Sequence, residues 1–529
     1  MNKQNEKLIA MLTRLYDFEN KTNPDMLARN AVDYLNDNNI KLQEDIFVKL
    51  IKGGTYKIKE YYLENSLLPD IRGASSIITG VQEDIIPKYL KKEIGFECVL
   101  YNGGGNLFAI VPDRCDTTLP IKLEKVAQDY LVTANSAYAI SDSIRISELL
   151  GNNYKALTFG LENKLNERKK SKILNNMAPL TQFNNDQIFN CNVQAEKLDN
   201  AVKYCKHCQK RLAYYKKNGK CICGGCLHKI SVNREQKLNY YKEYKNFIIK
   251  HGNNMKLKMC NNFTDVDRDY IAVVYADGNN MGGIIQTIEK VNEMMDFSAF
   301  VKEKMPEIVY KSLYEREISN VVFTALGGDD IFIIVPANKS IRLAEKLIEE
   351  YNRVFKEKYP ESNSTLSVGV CIAKPKTPVK SMLEAAEDEL SKAKQLVKNT
   401  NCNGSLSYVI FDSYEGVSGN RGRWTLLPYS LEAARVILKK ADELRKSNSN
   451  KTRINNLSEA FHKSETDTEA NLFYEYTNAK SSKENRIYIP KRFGRFKLEN
   501  GFYKNTIDES DNKTYSIWDD LLDLIEFGK

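Results

Sequence analysis

The sequence predicts an α+β protein in which one small sheet domain occurs twice, with a cysteine-rich insert between the copies and a helical C-terminal part. Three observations carry this expectation. Two glycine-led hairpins, "NGGGNLFAIVP" (102–112) and "LGGDDIFIIVP" (326–336), share six of eleven residues, a sign of duplication. Around the second hairpin, strand and helix patterns follow one another as β-α-α-β-β-α-β. Five of the eleven cysteines fall between Cys205 and Cys226.

Length and charge bound the rest. A chain of 529 residues exceeds one hydrophobic core and implies several domains at roughly 100–200 residues each. Lys and Arg number 78 against 69 Asp and Glu, a net charge of +9 that suits nucleotide or nucleic-acid partners. No stretch reaches the ~18 apolar residues of a membrane span, and "MNKQNEKLIAMLTRLYDFEN" lacks the apolar core and cleavage site of a signal peptide. A cytoplasmic protein with no membrane partner is expected.

Taken in order, residues 1–54 carry helical spacing with no catalytic pattern. The first sheet domain is assigned to 55–190, with "TYKIKEYYLEN" (55–65) as a strand, 97–112 as a hairpin and "KLEKVAQDYLVTAN" (122–135) as an amphipathic helix. Residues 160–220 turn polar and lysine-rich, as a connector does, and 191–260 form the cysteine-bearing linker domain. The second sheet domain spans 261–418. It opens on the strand "DYIAVVYADGNNMGGII" (269–285), followed by a helix with Val301, Met305, Ile308, Val309 and Leu313 on one stripe. After the hairpin come a helix with Ala344, Leu347, Ile348, Tyr351 and Phe355 on one face, the alternating strand "STLSVGVCIA" (364–373) and the helix "EAAEDELSKAKQLVKN" (384–399). Residues 419–529 read as mainly helical, with a basic, aromatic tail "RIYIPKRFGRFKLENGFY".

The hairpin at 326–336 places Asp329 and Asp330 between two apolar runs, where an unpaired carboxylate is costly. Strand pairing would bring Asp277, at the end of the preceding strand, to the same end of the sheet. Oxygen ligands of this kind suit Mg2+ or Mn2+, and two such ions could activate a ribose hydroxyl and stabilise leaving pyrophosphate. Gly327 and Gly328 permit a tight turn close to a nucleotide, and Gly278, Asn279 and Asn280 could offer backbone amides to phosphates. Lys394, reaching back over the sheet end, could bind a triphosphate as a point charge. In the first copy Gly105 and Asn106 stand where the second has the two aspartates, so only the second copy can hold a divalent ion there.

"CKHCQKRLAYYKKNGKCICGGC" (205–226) contains two CxxC knuckles, Cys205 with Cys208 and Cys223 with Cys226, at the spacing of a structural zinc site. Cys221 in place of Cys223 is an alternative, as are His207 and His228. The surrounding Lys206, Lys210, Arg211, Tyr214 and Tyr215 read as solvated surface, with RNA contact as the other reading.

At this point the residues resemble a known family. "YADGNNMGG", "LGGDDIFIIVP", "LSVGV" and "LSKAK" are similar to the second palm domain of the large polymerase-like (GGDD palm) subunit of type III CRISPR effector complexes, a relative of GGDEF diguanylate cyclases. "LPDIRGASSII" (68–78) with "NGGGNLFAIVP" resembles that family's first palm, and "LLPYSLEAARVILKKADEL" (426–444) its C-terminal helical domain. The resemblance implies two ferredoxin-like, nucleotidyl cyclase-like palm domains, the first degenerate, with a zinc-ribbon insert. It further implies synthesis of cyclic oligoadenylates from ATP, one nucleotide in each palm. Asp277, Asp329 and Asp330 would bind the metals, and Gly103, Gly104, Gly105 and Asn106 would hold the acceptor. It also implies assembly with guide RNA and other subunits and activation by target RNA. The sequence departs from the family twice. None of its four histidines is followed by Asp, so no HD nuclease site is expected, and Asn279 stands where an acidic residue is common. A freestanding nucleotide cyclase and a noncatalytic scaffold subunit are the alternative functions.

Overall fold

The computed structural model describes residues 3–175 apart from 38, 66, 104 and 152, then 195–198, 203–232, 237–252, 255–260, 262–411, 427–446, 472, 476, 497–499, 502–504 and 517–528. They divide into two compact units. The first is Met1–Lys242, Gly282–Pro306 and Gly327–Asp329; the second is Glu243–Met281, Glu307–Leu326 and Asp330–Lys529. Among the described residues no helix is long and apolar enough to cross a membrane.

The first unit opens with helices α1 (Lys3–Phe18) and α2 (Pro24–Asn36), packed on each other. The chain continues through β1 (Phe47–Tyr56), α3 (Ile58–Tyr62), α4 (Leu68–Gly80), a π-helical turn (Val81–Ile85) and α5 (Ile86–Ile94). The hairpin β2 (Val99–Gly103) and β3 (Asn106–Pro112), helix α6 (Leu119–Leu131), β4 (Asn135–Ile140), β5 (Ile144–Arg145), α7 (Ile146–Leu150) and α8 (Tyr154–Asn175) complete it. The sheet order is β2-β3-β1-β4, with β5 beside β1.

Two expectations need correction here. The first strand is not 55–65 but begins at Phe47, and residues 58–62 are helical after Lys57 turns left-handed at φ 56. Gly53 and Gly54 lie inside this strand: a Cβ on Gly53 would lie 2.3 Å from the Ala137 carbonyl oxygen and one on Gly54 1.8 Å from that of Gly105. Both glycines are therefore required by close approach of neighbouring backbone. Helix α8 also runs to Asn175, inside the stretch read as a connector, and residues 176–194 lie outside the described ones.

A small cysteine module follows: β6 (Glu196–Lys197), β7 (Tyr215–Lys217), β8 (Lys220–Ile222) and α9 (Gly224–Val232). Helix α9 crosses α4 so closely that a Cβ on Gly73 would stand 1.7 Å from the Lys229 carbonyl oxygen.

The second unit is built on the expected order. After α10 (Lys237–Lys250), β9 (Lys258–Met259) and α11 (Phe263–Val266) come β10 (Ile271–Asn279), α12 (Met281–Thr287), α13 (Val291–Glu315), β11 (Asn320–Gly327), β12 (Asp330–Pro336), α14 (Ala337–Lys358), β13 (Thr365–Ala373) and α15 (Val379–Thr400). β14 (Ser405–Phe411), parallel to β13, was not anticipated; β15 (Tyr429–Ser430), α16 (Leu431–Lys446), β16 (Lys497–Glu499), β17 (Phe502–Lys504) and α17 (Ile517–Phe527) are the described remainder. The β16–β17 hairpin lies in the stretch read as mainly helical. The sheet order is β15-β14-β13-β10-β12-β11-β9. β10 and β13 are buried along nearly their whole length, which explains their almost unbroken apolar runs.

Within this larger sheet the order β11-β12-β10-β13 repeats the first unit's β2-β3-β1-β4, so the duplication extends from sequence to topology. The registers match as well: Val48 pairs with Pro112 as Ile271 pairs with Pro336. Counting on, Gly54 opposite Asn106 corresponds to Asp277 opposite Asp330. The first copy thus lacks a carboxylate at every one of the three equivalent positions.

Helix α15 rests directly on β13. A Cβ on Gly369 would meet the Ala386 carbonyl oxygen at 2.0 Å and the Leu390 nitrogen at 2.4 Å, both backbone atoms that cannot rotate away. Gly369→Ala is expected to destabilise the protein by about 1–3 kcal/mol in denaturant unfolding. Gly282→Ala, with nothing within 4 Å of its Cβ, should leave stability unchanged.

Candidate functional site

The second unit builds its site at one end of β10. Registers with β12 end at Ala276 opposite Ile331, and one further step sets Asp277 opposite Asp330. Directly opposed residues point to the same face with Cβ atoms about 4.5–5.5 Å apart. Asp330 opens β12 just after the turn, where Gly328 takes φ 63 and Asp329 follows it. On the other side β10 stays paired with β13 as far as Asn279 opposite Thr365. Gly278 and Asn279 are therefore strand residues rather than a loop, and only Asn280, at φ 57, makes the turn into α12.

Each carboxylate has a partner. Lys394 on α15 forms an ion pair with Asp277. Tyr275, two residues before Asp277 and hence on the same face, donates its hydroxyl to Asp330 Oδ1 at 3.2 Å. Burial, reinforced by the Asp330 charge, pushes the Tyr275 hydroxyl well above the usual tyrosine range, so it remains a donor. Lys392 turns away to Glu389. Asn279 is held in the sheet face: its Nδ2 donates to Thr365 Oγ1 at 2.9 Å and Ser367 Oγ at 3.0 Å, and its Oδ1 accepts from Ser367 Oγ at 3.1 Å. It acts as a peg between strands β10 and β13. Strand alternation from Asp277 could have revealed Tyr275, but nothing in the sequence signals the contact of Asn279 with Thr365 and Ser367.

The cysteines converge separately. Among the described residues, the one set of three or more His, Cys, Asp or Glu whose ligand atoms gather within 4.8 Å is Cys205, Cys208, Cys223 and Cys226, all buried. The second unit's Asp277 and Asp330 do not belong to such a set. Cys221 lies on β8, half-buried and outside the cluster, so the structure selects Cys223. Neither histidine joins. His207 Nδ1 is 3.1 Å from Asp70 Oδ2, and His228 Nε2 is 2.9 Å from the Tyr130 carbonyl oxygen. Hydrogen bonds from the other thiols hold Cys205 far below the usual thiol range and push Cys226 far above it.

Side chains of α3–α4 and their connection clamp this module within the first unit. Asn65 Nδ2 donates to Asp70 Oδ1 at 2.6 Å and to Cys226 Sγ at 3.4 Å. Glu64 accepts from Lys229 at 2.6 Å and pairs with Arg211. Arg211 also faces Cys208 and Cys223 at 4.0 Å, and Tyr215 is buried, so these two are not the solvated surface expected of them. Burial lowers the Lys229 ammonium to about 8.

In the first unit the predicted acceptor loop is the β2–β3 turn. Gly103 and Asn106 end and begin these strands, Gly105 takes φ 79, and Gly104 lies outside the described residues.

Comparison with known proteins bears on this arrangement. Residues 270–402, the segment that carries Asp277, Asp329, Asp330 and Lys394, match the family model described as Cas10/Cmr2, second palm domain. A stretch of 149 residues is 27% identical to the CRISPR system Cmr subunit Cmr2 of Pyrococcus furiosus. The chain is similar to Cas10-like type III subunits. That stretch is 24% of this chain and 17% of the Cmr2 protein, well under two thirds of the relative's length. The Csm1 structure from T. onnurineus superposes with a TM-score of 0.57 at 14% identity, covering 95% of this chain and 73% of that one. A Csm1–Csm4 cassette in complex with cA4 gives a TM-score of 0.53 at 15% identity, covering 86% and 68%. These likenesses show a shared fold. The chain is thus a mixed α+β protein whose residues 270–402 are similar to the Cas10/Cmr2 second palm.

Proposed function

We propose that this Cas10-like chain is the nucleotide-polymerising subunit of a type III CRISPR effector complex and makes cyclic oligoadenylate from ATP. The observation that carries the reading is the placing of Asp277 one step beyond the last β10–β12 pair, in line with Asp330 at the start of β12, with Lys394 paired to Asp277, inside the segment matched to the Cas10/Cmr2 second palm. A solved relative bound to cA4 supports the product class.

In this reading the first palm begins with β1 at Phe47 and runs to 190, 261–418 is the second palm, 191–260 a zinc-binding linker domain, 419–529 a C-terminal helical domain, and the residues before Phe47 a helical N-terminal segment. Asp277, Asp329 and Asp330 fit a pair of hard divalent cations, Mg2+ or Mn2+, through their oxygen donors. When bound, such ions lower the pKa of an attacking hydroxyl and neutralise charge on a leaving pyrophosphate. Lys394 supplies an ammonium on a flexible stem that can pass from Asp277 to a triphosphate oxygen. Tyr275 holds Asp330 in its orientation, and Asn279 keeps β10 locked to β13 beyond Asp277. The Gly103–Asn106 loop of the first palm, devoid of carboxylates, holds the acceptor nucleotide without competing for cations. The four cysteines fit Zn2+ as a closed structural site. Guide RNA, target RNA and further subunits are the partners, in the cytoplasm.

The test is incubation of the purified chain with labelled ATP and Mg2+, alone and assembled with guide and target RNA. Cyclic product only in the assembled complex is expected. Product from the chain alone would make it a freestanding synthase. Absence of product in both would make it a scaffold.

A further inference from the structure

Three strands of the second unit set polar side chains in one row across the sheet. Asp277 of β10 pairs with Ser367 of β13, and Ser367 pairs with Ser405 of β14. Directly paired residues share a face of the sheet. Helix α15 covers that face: Ser405 Oγ donates to the Ala393 carbonyl oxygen at 2.6 Å, and Lys394, the next residue, pairs with Asp277. Both serines are fully buried.

The hydroxyl protons give the row a direction. Asn279 Nδ2 donates to Ser367 Oγ at 3.0 Å. Ser405 has one proton and gives it to Ala393, so Ser367 is the donor in the 3.2 Å contact between the serines, dividing its own proton between Ser405 Oγ and Asn279 Oδ1. A hydrogen-bond chain therefore runs from Asn279, two residues beyond Asp277, through Ser367 and Ser405 to the residue before Lys394.

Apolar side chains would fill this space without the cost of burying hydroxyls. What a fully matched polar row adds is a fixed distance between sheet and helix. That distance matters at Lys394, whose ammonium ends a flexible four-carbon stem and reaches only as far as the helix holds its Cα. The Lys394 side chain is 38% exposed and that of Asp277 22%, so a ligand can approach the pair while the row beneath it is closed.

We infer that Ser367 and Ser405 are positioning residues: they hold α15 where Lys394 reaches both Asp277 and the triphosphate of a bound nucleotide. The inference rests on the proposed phosphate role of Lys394 and adds the buried hydroxyls that aim it. Ser407, equally buried on β14, bonds Glu389 one turn earlier on α15 and serves as the control, since it ties the same strand to the same helix away from Lys394.

Equilibrium titration of the full chain with ATP and Mg2+ tests this, read at the site that Lys394→Met weakens. Lys394→Met should weaken ATP there by about tenfold or more, and Ser405→Ala by about fivefold. Placed in the Lys394→Met chain, Ser405→Ala should have no further effect, because its action passes through the missing ammonium. Ser407→Ala should lower the unfolding temperature and bind ATP as the parent does. Ser367→Ala cuts the same chain one hydroxyl earlier and replaces Ser405→Ala should that variant fold poorly. Parent-like binding in both serine variants, the same weakening with and without Lys394, or an equal weakening in Ser407→Ala would each overturn the positioning role and leave the proposed synthase standing. Unaltered binding in Lys394→Met would overturn the phosphate role of Lys394 and the inference with it. No ATP bound by the wild-type chain would overturn the synthase as well.

Discussion

Asp329→Asn combined with Asp330→Asn is expected to lower cyclic oligoadenylate synthesis by about a thousandfold or more in the assembled complex, with thermal unfolding at the parent's temperature. Asparagine keeps an oxygen where Asp330 accepts from Tyr275 at 3.2 Å, so the buried hydroxyl is not left unmatched. An alanine there would add a packing and hydrogen-bond loss of about 1–3 kcal/mol and confuse the result. What asparagine removes is the negative charge that attracts divalent cations. The Gly327–Gly328 turn is unaltered. Turnover within tenfold of the parent would sink the assigned role, whatever the fold similarity to Csm1. A uniform rise in the concentration of Mg2+ required, with the maximal rate preserved, would instead place the aspartates in ion capture alone.

Much of this site was visible in the sequence because it is made of local signals. Glycine pairs mark turns, alternation marks strands, and aspartates inside an apolar hairpin demand a counter-charge. Those rules picked out Asp277, Asp329 and Asp330, and Lys394 as reaching the same end of the sheet, but not its ion pair with Asp277. They failed where the reason for a residue lies far along the chain. The strand placed at 55–65 in fact begins at Phe47 and runs through Gly53 and Gly54, which the Ala137 and Gly105 carbonyls approach too closely for a side chain. The strand read over 269–285 ends at Asn279, the last residue paired with β13, and Met281–Thr287 is helical, a switch that the apolar pattern alone does not mark. Arg211 looked solvated because its partner, Glu64, lies in a distant segment. The choice between Cys221 and Cys223 likewise turned on the short strand β8, which places Cys221 outside the cluster.

Removing one cysteine of the cluster should produce the largest stability loss in the protein. Four buried thiols within 4.8 Å of one another cannot all ionise unaided, and their gathering is favourable chiefly when a cation binds them. In small metal domains the apparent free energy of zinc binding, about 10–16 kcal/mol, goes directly into folding. Here the module is fastened to α4 by Asn65, Asp70 and the Glu64 pairs, and α9 crosses α4 at Gly73 with no room for a side chain. Disorder in the module therefore strips partners from α4 and the segment before it, leaving Asp70 without His207 and Glu64 without Arg211 and Lys229, a penalty of several kcal/mol. Cys205→Ser is expected to reduce bound zinc from one per chain to none by elemental analysis and to lower the unfolding temperature by about 10 °C or more. Cys221→Ser, outside the cluster, should retain the metal and the unfolding temperature of the parent. If the two variants behave alike, or if the parent holds no zinc and chelators leave its unfolding unchanged, the cysteines are a packed thiol core and not a metal site.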